Sequence, residues 1–180
     1  NYGSRYLLTA TFRADGSSKF PKGNRWGYFP SVAAAWSFAE EDFLKDVKWL
    51  SAGKIRLGYG ATGNNRISDF GAMTSLEINS GSGYGGEQGL VPVVLGNDRL
   101  KWETTYQTNA GIDLSFFQER LELTVDYYHK VTKDLLLKAT LAPSVGFLDG
   151  YKNVGSVSNS GVEVTIRSRN IANRNFLWTS

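Results

Sequence analysis

Alternation with a period of two runs through most of this 180-residue chain and restricts its fold more than any other feature. Successive side chains of a strand point to opposite sides, so this pattern gives each segment one apolar and one polar face. In segment 5–14, Tyr6, Leu8, Ala10 and Phe12 share one side, and Thr9, Thr11 and Arg13 the other. A polar loop over 15–24 follows. In 27–39, Tyr28, Val32, Ala34, Trp36 and Phe38 alternate with Phe29, Ser31, Ala33, Ala35 and Ser37. Pro30 lacks an N–H and is expected to interrupt the ladder there. In 54–62, Ile55, Leu57, Tyr59 and Ala61 oppose Lys54, Arg56, Gly58 and Gly60.

The period shifts only once. In 40–50, the spacing of Phe43, Leu44, Val47 and Leu50 predicts a short amphipathic helical turn, the only helix expected. Glu40, Glu41 and Asp42 lie where acidic groups favour a helix N-terminus, which accounts for them without acid catalysis. Segment 63–99 is a long loop rich in Gly, Ser and Asn. Segments 101–116 and 121–137 predict the clearest hairpin, with a two-residue turn at Gln118-Glu119 and Phe116 paired with Leu121. That register sets Ile112 against Val125 and Leu114 against Leu123 on one face. It sets Asp113 against Thr124 and Ser115 against Glu122 on the other, so facial parity is kept. A loop over 139–157 leads to a sixth strand, in which Val162, Val164 and Ile166 alternate with Gly161, Glu163, Thr165 and Arg167. Segment 170–175 turns the chain, and Phe176 and Trp178 open a seventh strand. The fold class is therefore all-β, an antiparallel up-and-down sheet of about seven strands in chain order, open as an isolated fragment.

Composition decides what kind of sheet this is. No apolar run approaches the roughly 18–20 residues of a spanning helix, and mean hydropathy is −0.29. A barrel strand needs only about 9–11 residues with one apolar face, so low mean hydropathy is compatible with a membrane barrel. The 10 Phe, 9 Tyr, 5 Trp and 20 Gly beside a single Met suit β structure with turns. The net charge of +3 is scattered rather than clustered, which argues against a nucleic-acid groove. The absence of cysteine removes disulfides, thiolate metal sites and cysteine nucleophiles. Long loops after the first, third and fifth strands, against tight or short turns after the fourth and sixth, match the two ends of an outer-membrane barrel. The connection after the second strand is the exception, since it carries the helical turn. Tyr6, Tyr28, Trp36, Phe116 and Tyr127 are expected near strand ends as interfacial girdles. Two other readings fit the alternation: a small autonomous outer-membrane barrel with a structural or adhesive role, and a soluble carbohydrate-binding β-sandwich.

The motifs carry a more specific signal. Residues 6–20 (YLLTATFRADGSSKF), 24–31 (NRWGYFPS), 60–64 (GATGN), 100–105 (LKWETT), 125–128 (VDYY), 153–157 (NVGSV) and 161–163 (GVE) together resemble the SusC/RagA family of TonB-dependent outer-membrane transporters. Gln118-Glu119 departs from the Asn-Asn that relatives often carry at the tight turn, and Pro30 belongs to the family motif. The resemblance implies that residues 1–180 are part of a single barrel domain of about 22 strands, with the plug and the TonB-contacting segment upstream. It implies import of glycan or peptide fragments across the outer membrane of a Bacteroidetes-type bacterium. It also implies outer-membrane lipid around the wall, TonB as the source of energy and a SusD-like surface lipoprotein as the cap.

No residue pattern points to an enzyme or a cofactor. Gly81, Gly83 and Gly86 match G-x-G-x-x-G, but a dinucleotide site needs a preceding strand and a following helix, and 87–94 offers no helix. His129 stands alone without cysteine, which argues against a metal centre or a serine triad, and it falls on the apolar face with Val125 and Tyr127. Lys54, Arg56, Asp113, Glu122, Asp126, Glu163 and Arg167 fall on the polar face, pointing into the lumen of a barrel. Loop 63–99 is expected to be extracellular. Within it, Phe70, Tyr84, Glu87 and Gln88 are the side chains best suited to meet a sugar or peptide, by ring stacking and hydrogen bonding.

Overall fold

The computed structural model describes residues 2–44, 47–79, 81, 88–173 and 176–180. Its strands are β1 (Tyr6–Gly16), β2 (Trp26–Trp36), β3 (Leu50–Asn64), β4 (Ser75–Asn79), β5 (Gly89–Val94), β6 (Glu103–Phe116), β7 (Leu121–Lys133), β8 (Leu136–Thr140), β9 (Asp149–Asn153), β10 (Ser156–Asn173) and β11 (Phe176–Thr179). Seven of them form one antiparallel sheet in the order β1-β2-β3-β6-β7-β10-β11. These are the seven segments expected from alternation, in chain order. Among the described residues β1 and β11 do not pair with each other, so the sheet stays open and does not close into a small barrel.

The registers sort the faces as the sequence parity requires. Tyr6 pairs with Trp36, Val32 with Tyr59, Ile55 with Ile112, Ile112 with Val125, Leu114 with Leu123 and Val125 with Val164. Directly paired residues share a face, so Tyr6, Leu8, Val32, Trp36, Leu57, Ile112, Leu114, Leu123, Val125, Val162 and Val164 all lie on one side. A β-sandwich would bury this side against a second sheet. Instead Leu57 is 56% and Val164 57% exposed, and neighbours such as Leu8 and Ile166 are exposed as well.

The sheet is also sheared. The row Leu8, Ala34, Leu57, Ala110, Tyr127 and Val162 starts close to the beginning of β1 and crosses β10 far from its end at Asn173. Such stagger is what tilted barrel strands require. It also explains a difference from expectation: Tyr127 sits in the middle of β7, not at its end. Tyr6 stacks on Trp36 at the tight-turn end, and Phe12 on Tyr28 at the loop end. Tyr6 and Phe12 are about 20 Å apart along β1 at roughly 3.3 Å per residue. That spacing is close to the ~25 Å apolar band of outer-membrane barrels. Phe116 lies on the same apolar face and stacks on Trp49 at the tight-turn end. Pro30 acts on one side only: it stays in register with Phe12, while pairing to β3 stops next door at Ser31–Gly60.

Two expectations are corrected. Segments 63–99 and 139–157 are not plain loops: β4, β5, β9 and β8 form a second, four-stranded sheet in that order. The fifth strand accordingly stops at Lys133, because Asp134 adopts φ 56° and sends Leu136–Thr140 into the small sheet. No α-helix forms among the described residues of 40–50. A 3-10 turn at Phe38–Glu40 is followed by turn bonds from Leu44 N to Glu41 O and from Leu50 N to Val47 O. Two further 3-10 turns, Lys22–Asn24 and Pro143–Val145, were not expected. Segments this short cannot repay the cost of helix nucleation.

The hairpin register is the expected one, but its turn is larger. Residues 117–120 leave the ladder, and Phe117, Gln118 and Glu119 have φ of 54°, 57° and 63°. One backbone and one side-chain acceptor hold them: Phe117 N donates to Trp49 O at 3.0 Å, and Gln118 N to the Ser51 hydroxyl Oγ at 2.7 Å. Left-handed backbone costs a non-glycine residue roughly 1–2 kcal/mol. Glu119→Gly should therefore stabilise the barrel by about 0.5–1 kcal/mol, read as a higher urea midpoint of the compact gel band. A lower midpoint would show that the Glu119 side chain outweighs the strain.

Candidate functional site

The polar face carries an ion network built across three strands. Arg56 of β3 donates from Nε to Asp113 Oδ2 at 2.6 Å, and from Nη2 to Asp113 Oδ1 and Asp126 Oδ1, each at 2.9 Å. Thr124 Oγ1 adds a 3.1 Å bond to Asp113. Arg56 reaches Asp126 because the strand between them presents Gly111; a Cβ there would run into the Asp126 carboxylate and lie 2.9 Å from Arg56 Nη2. Lys54 pairs with Asp113 in register, Glu122 with Arg167, and Asp126 with Glu163. All seven charged residues singled out in the sequence thus share this face.

The loop end is built differently. Phe20 and Leu100 are 1% and 0% exposed and pack with Ile67, while Ala72, Trp102, Leu136 and Tyr151 close around them. Trp102 lies 5.3 Å from Phe20 and 5.5 Å from Phe29, and its Nε1 donates to Arg25 O at 3.0 Å. Side chains then knit loop to loop. Asn24 Nδ2 donates to Leu100 O, and Lys19 Nζ to Ile67 O. Asn153 accepts from Lys101 N through Oδ1 and donates through Nδ2 to Lys101 O and Asp134 O. Glu103 accepts from Asn64 Nδ2 and Leu136 N. Three loops far apart in sequence become one platform carrying the small sheet. There Asp149 pairs with Lys138 at 2.7 Å and raises the Lys138 ammonium above its ordinary pKa.

At the opposite end, Glu41 fastens the connection after β2 to the strand ends. Its Oε1 accepts from the Tyr6 hydroxyl at 2.6 Å and the Trp36 indole N–H at 3.1 Å, and its Oε2 from Arg5 at 2.9 Å. The Tyr6 and Trp36 donors hold the Glu41 carboxyl below its usual range. A depressed carboxylate stabilises the folded form above its unfolded pKa, about 4.3, and that contribution is lost as pH falls through the lower folded value. Acidification should therefore change Trp36 fluorescence only below about pH 4.3, and Glu41→Gln should remove that transition. A transition of equal size in the variant would exclude this clamp.

Of the contact residues expected in loop 63–99, Phe70 is 71% exposed and Gln88 is exposed, while Tyr84 and Glu87 lie outside the described residues. Gly81 is described, and Gly83 and Gly86 lie outside the described residues. His129 pairs with Thr108 and Ser160 on the apolar face. Among the described residues no cluster of His, Cys, Asp and Glu could hold a metal ion. The sequence reading missed the platform residues Asn24, Glu103 and Asn153. The signal was present, since all three belong to the motifs that carried the resemblance.

Comparison with known proteins agrees along the whole chain. The family model for the TonB dependent receptor-like β-barrel matches residues 1–180. TonB-dependent receptor P39 of Formosa agariphila is 43% identical over all of this chain, which covers 17% of that protein. TonB-dependent receptor SusC of Bacteroides thetaiotaomicron is 40% identical over 97% of the chain and 18% of its own length. The chain thus spans under a fifth of these curated relatives. A chain of the RagAB peptide importer in the closed-closed state superposes with a TM-score of 0.85 at 30% identity, over 94% of this chain and 18% of that one. The siderophore receptor PirA of Pseudomonas aeruginosa, at 15% identity and a TM-score of 0.61, shares the fold over 99% of this chain and 31% of its own. With a sheared sheet that is apolar on one side and ion-paired on the other, and a family match from end to end, this chain belongs to the TonB-dependent receptor-like β-barrel family, with SusC and RagA as its kin.

Proposed function

We propose that this chain forms roughly a third of the wall of an outer-membrane active transporter of about 22 strands. It belongs to a single barrel domain, its lumen is filled by a plug supplied upstream, and TonB powers import. The observation that carries this reading is the single apolar face, kept in register across the sheet and bracketed by aromatic pairs. That face meets lipid, and the Arg56–Asp113–Asp126 side meets the lumen. The tight turn at 117–120 is periplasmic, so the platform and the small sheet are extracellular. The name of the RagAB peptide importer supports a peptide fragment as substrate, and the family resemblance adds a glycan fragment as the alternative and a SusD-like lipoprotein as cap, in a Bacteroidetes-type outer membrane.

Phe70 and Gln88, with Tyr84 and Glu87, contribute to the surface where cap and substrate are met. The test is deletion of residues 80–87 in the full-length protein, measuring barrel assembly and TonB-dependent uptake together. Normal assembly with impaired uptake is expected. Unchanged uptake would remove the contact role, and uptake that persists without TonB would overturn the transporter reading itself.

A further inference from the structure

A groove of about 570 Å³ opens at the loop end, between the segment leading into β6 and strand β9. Its charged lining is Arg99, Lys101 and Lys152 against the single carboxylate of Asp134. Lys101 Nζ lies 2.9 Å from Asp134 and neutralises it. Arg99 and Lys152 are not ion-paired among the described residues, so the groove carries two uncompensated cations. Its walls are held apart at a fixed spacing. Asn97 accepts from Arg99 N and donates to Tyr151 O, each at 3.0 Å, and Asn153 ties Lys101 to Asp134 from the other side.

We propose that this groove binds an oxyanion borne on a carbohydrate: a carboxylate of an incoming saccharide or a phosphate of a lipopolysaccharide. This rests on the platform being extracellular, where both sources are present. The planar fork of Arg99 matches an oxyanion in two-point geometry, and Lys152 adds a point charge. Because the walls are already fixed, little ordering is required on binding. Cations in a cleft also raise the local concentration of anionic ligands before contact, an effect that salt screens.

The experiment uses the full-length transporter and its R99Q/K152Q variant; neither altered side chain takes part in the asparagine clamps. Calorimetry measures trigalacturonate, the bisphosphorylated glucosamine disaccharide of lipid A, and uncharged maltotriose. The expected result is at least a tenfold weaker affinity of the variant for one anionic probe, with maltotriose unaffected and wild-type binding weakened by salt. Loss confined to trigalacturonate assigns the groove to substrate, and loss confined to the bisphosphate assigns it to lipopolysaccharide. Equal affinity in both proteins, no binding of either anion to wild type, or equal loss of maltotriose overturns the proposal. Uptake with and without TonB, measured in parallel, separates failure of the groove from failure of the transporter reading.

Discussion

Arginine in place of Leu57 will cost the folded barrel about 2–4 kcal/mol, the range for a cation on the lipid face near the bilayer midplane. Leu57 lies midway along β3, 56% exposed on the apolar side between Ala34 and Ala110. Small neighbours leave an arginine there with neither water nor a carboxylate, so its charge must reach an interface along its own stem. Thr165→Arg is the control. Thr165 pairs with Thr124 on the polar side, sharing a water-accessible hollow with Glu122 and lying two residues from Glu163 on the same face, where a cation finds water and carboxylates. Its cost should stay within about 0.5 kcal/mol. Refolding into lipid vesicles across a urea series, read by heat-modifiable gel mobility, gives both values. Equal penalties would mean that the two faces do not see different solvents.

Replacing Trp102 by alanine should loosen the extracellular platform by roughly 3–5 kcal/mol and leave the wall intact. The indole touches Phe20 and Phe29, both nearly inaccessible, and its N–H satisfies the Arg25 carbonyl. The substitution removes packing volume and one of the two bonds to the Arg25 carbonyl, which keeps the 2.9 Å bond from Ser17 N. The β3–β6 and β6–β7 ladders do not depend on the ring, so the compact gel band should persist. Protease added to intact cells should then cut between β3 and β6 at sites resistant in the parent protein. Unchanged resistance would show that the asparagine and glutamate cross-links suffice without the aromatic core.

How far each part of the structure could be read from the chain follows the range of the interactions that make it. The wall rests on near-neighbour rules. A period of two assigns each side chain to a face, and a single hairpin turn propagates that assignment through the registers of β3, β6, β7 and β10. Alternation alone therefore places Leu57, Val125 and Val164 on one side, and Arg56, Asp113 and Asp126 on the other. The small sheet had no such signal, because β4, β5, β8 and β9 are too short and too mixed in composition for alternation to stand out.

By itself, then, the sequence determined the seven strands of the wall, which way each of their side chains faces and which family the chain resembles. Tertiary structure alone decided that Arg56 spans two carboxylates over Gly111, that the strand stagger puts Tyr127 in mid-strand, and that three loops fuse into one platform. Those features join residues such as Asn24 and Leu100, or Arg25 and Trp102, whose contact depends on how separate loops fold back over the end of the sheet. Periodicity reports the direction of a side chain from its own strand. It carries nothing about which distant carbonyl or ring that side chain will meet.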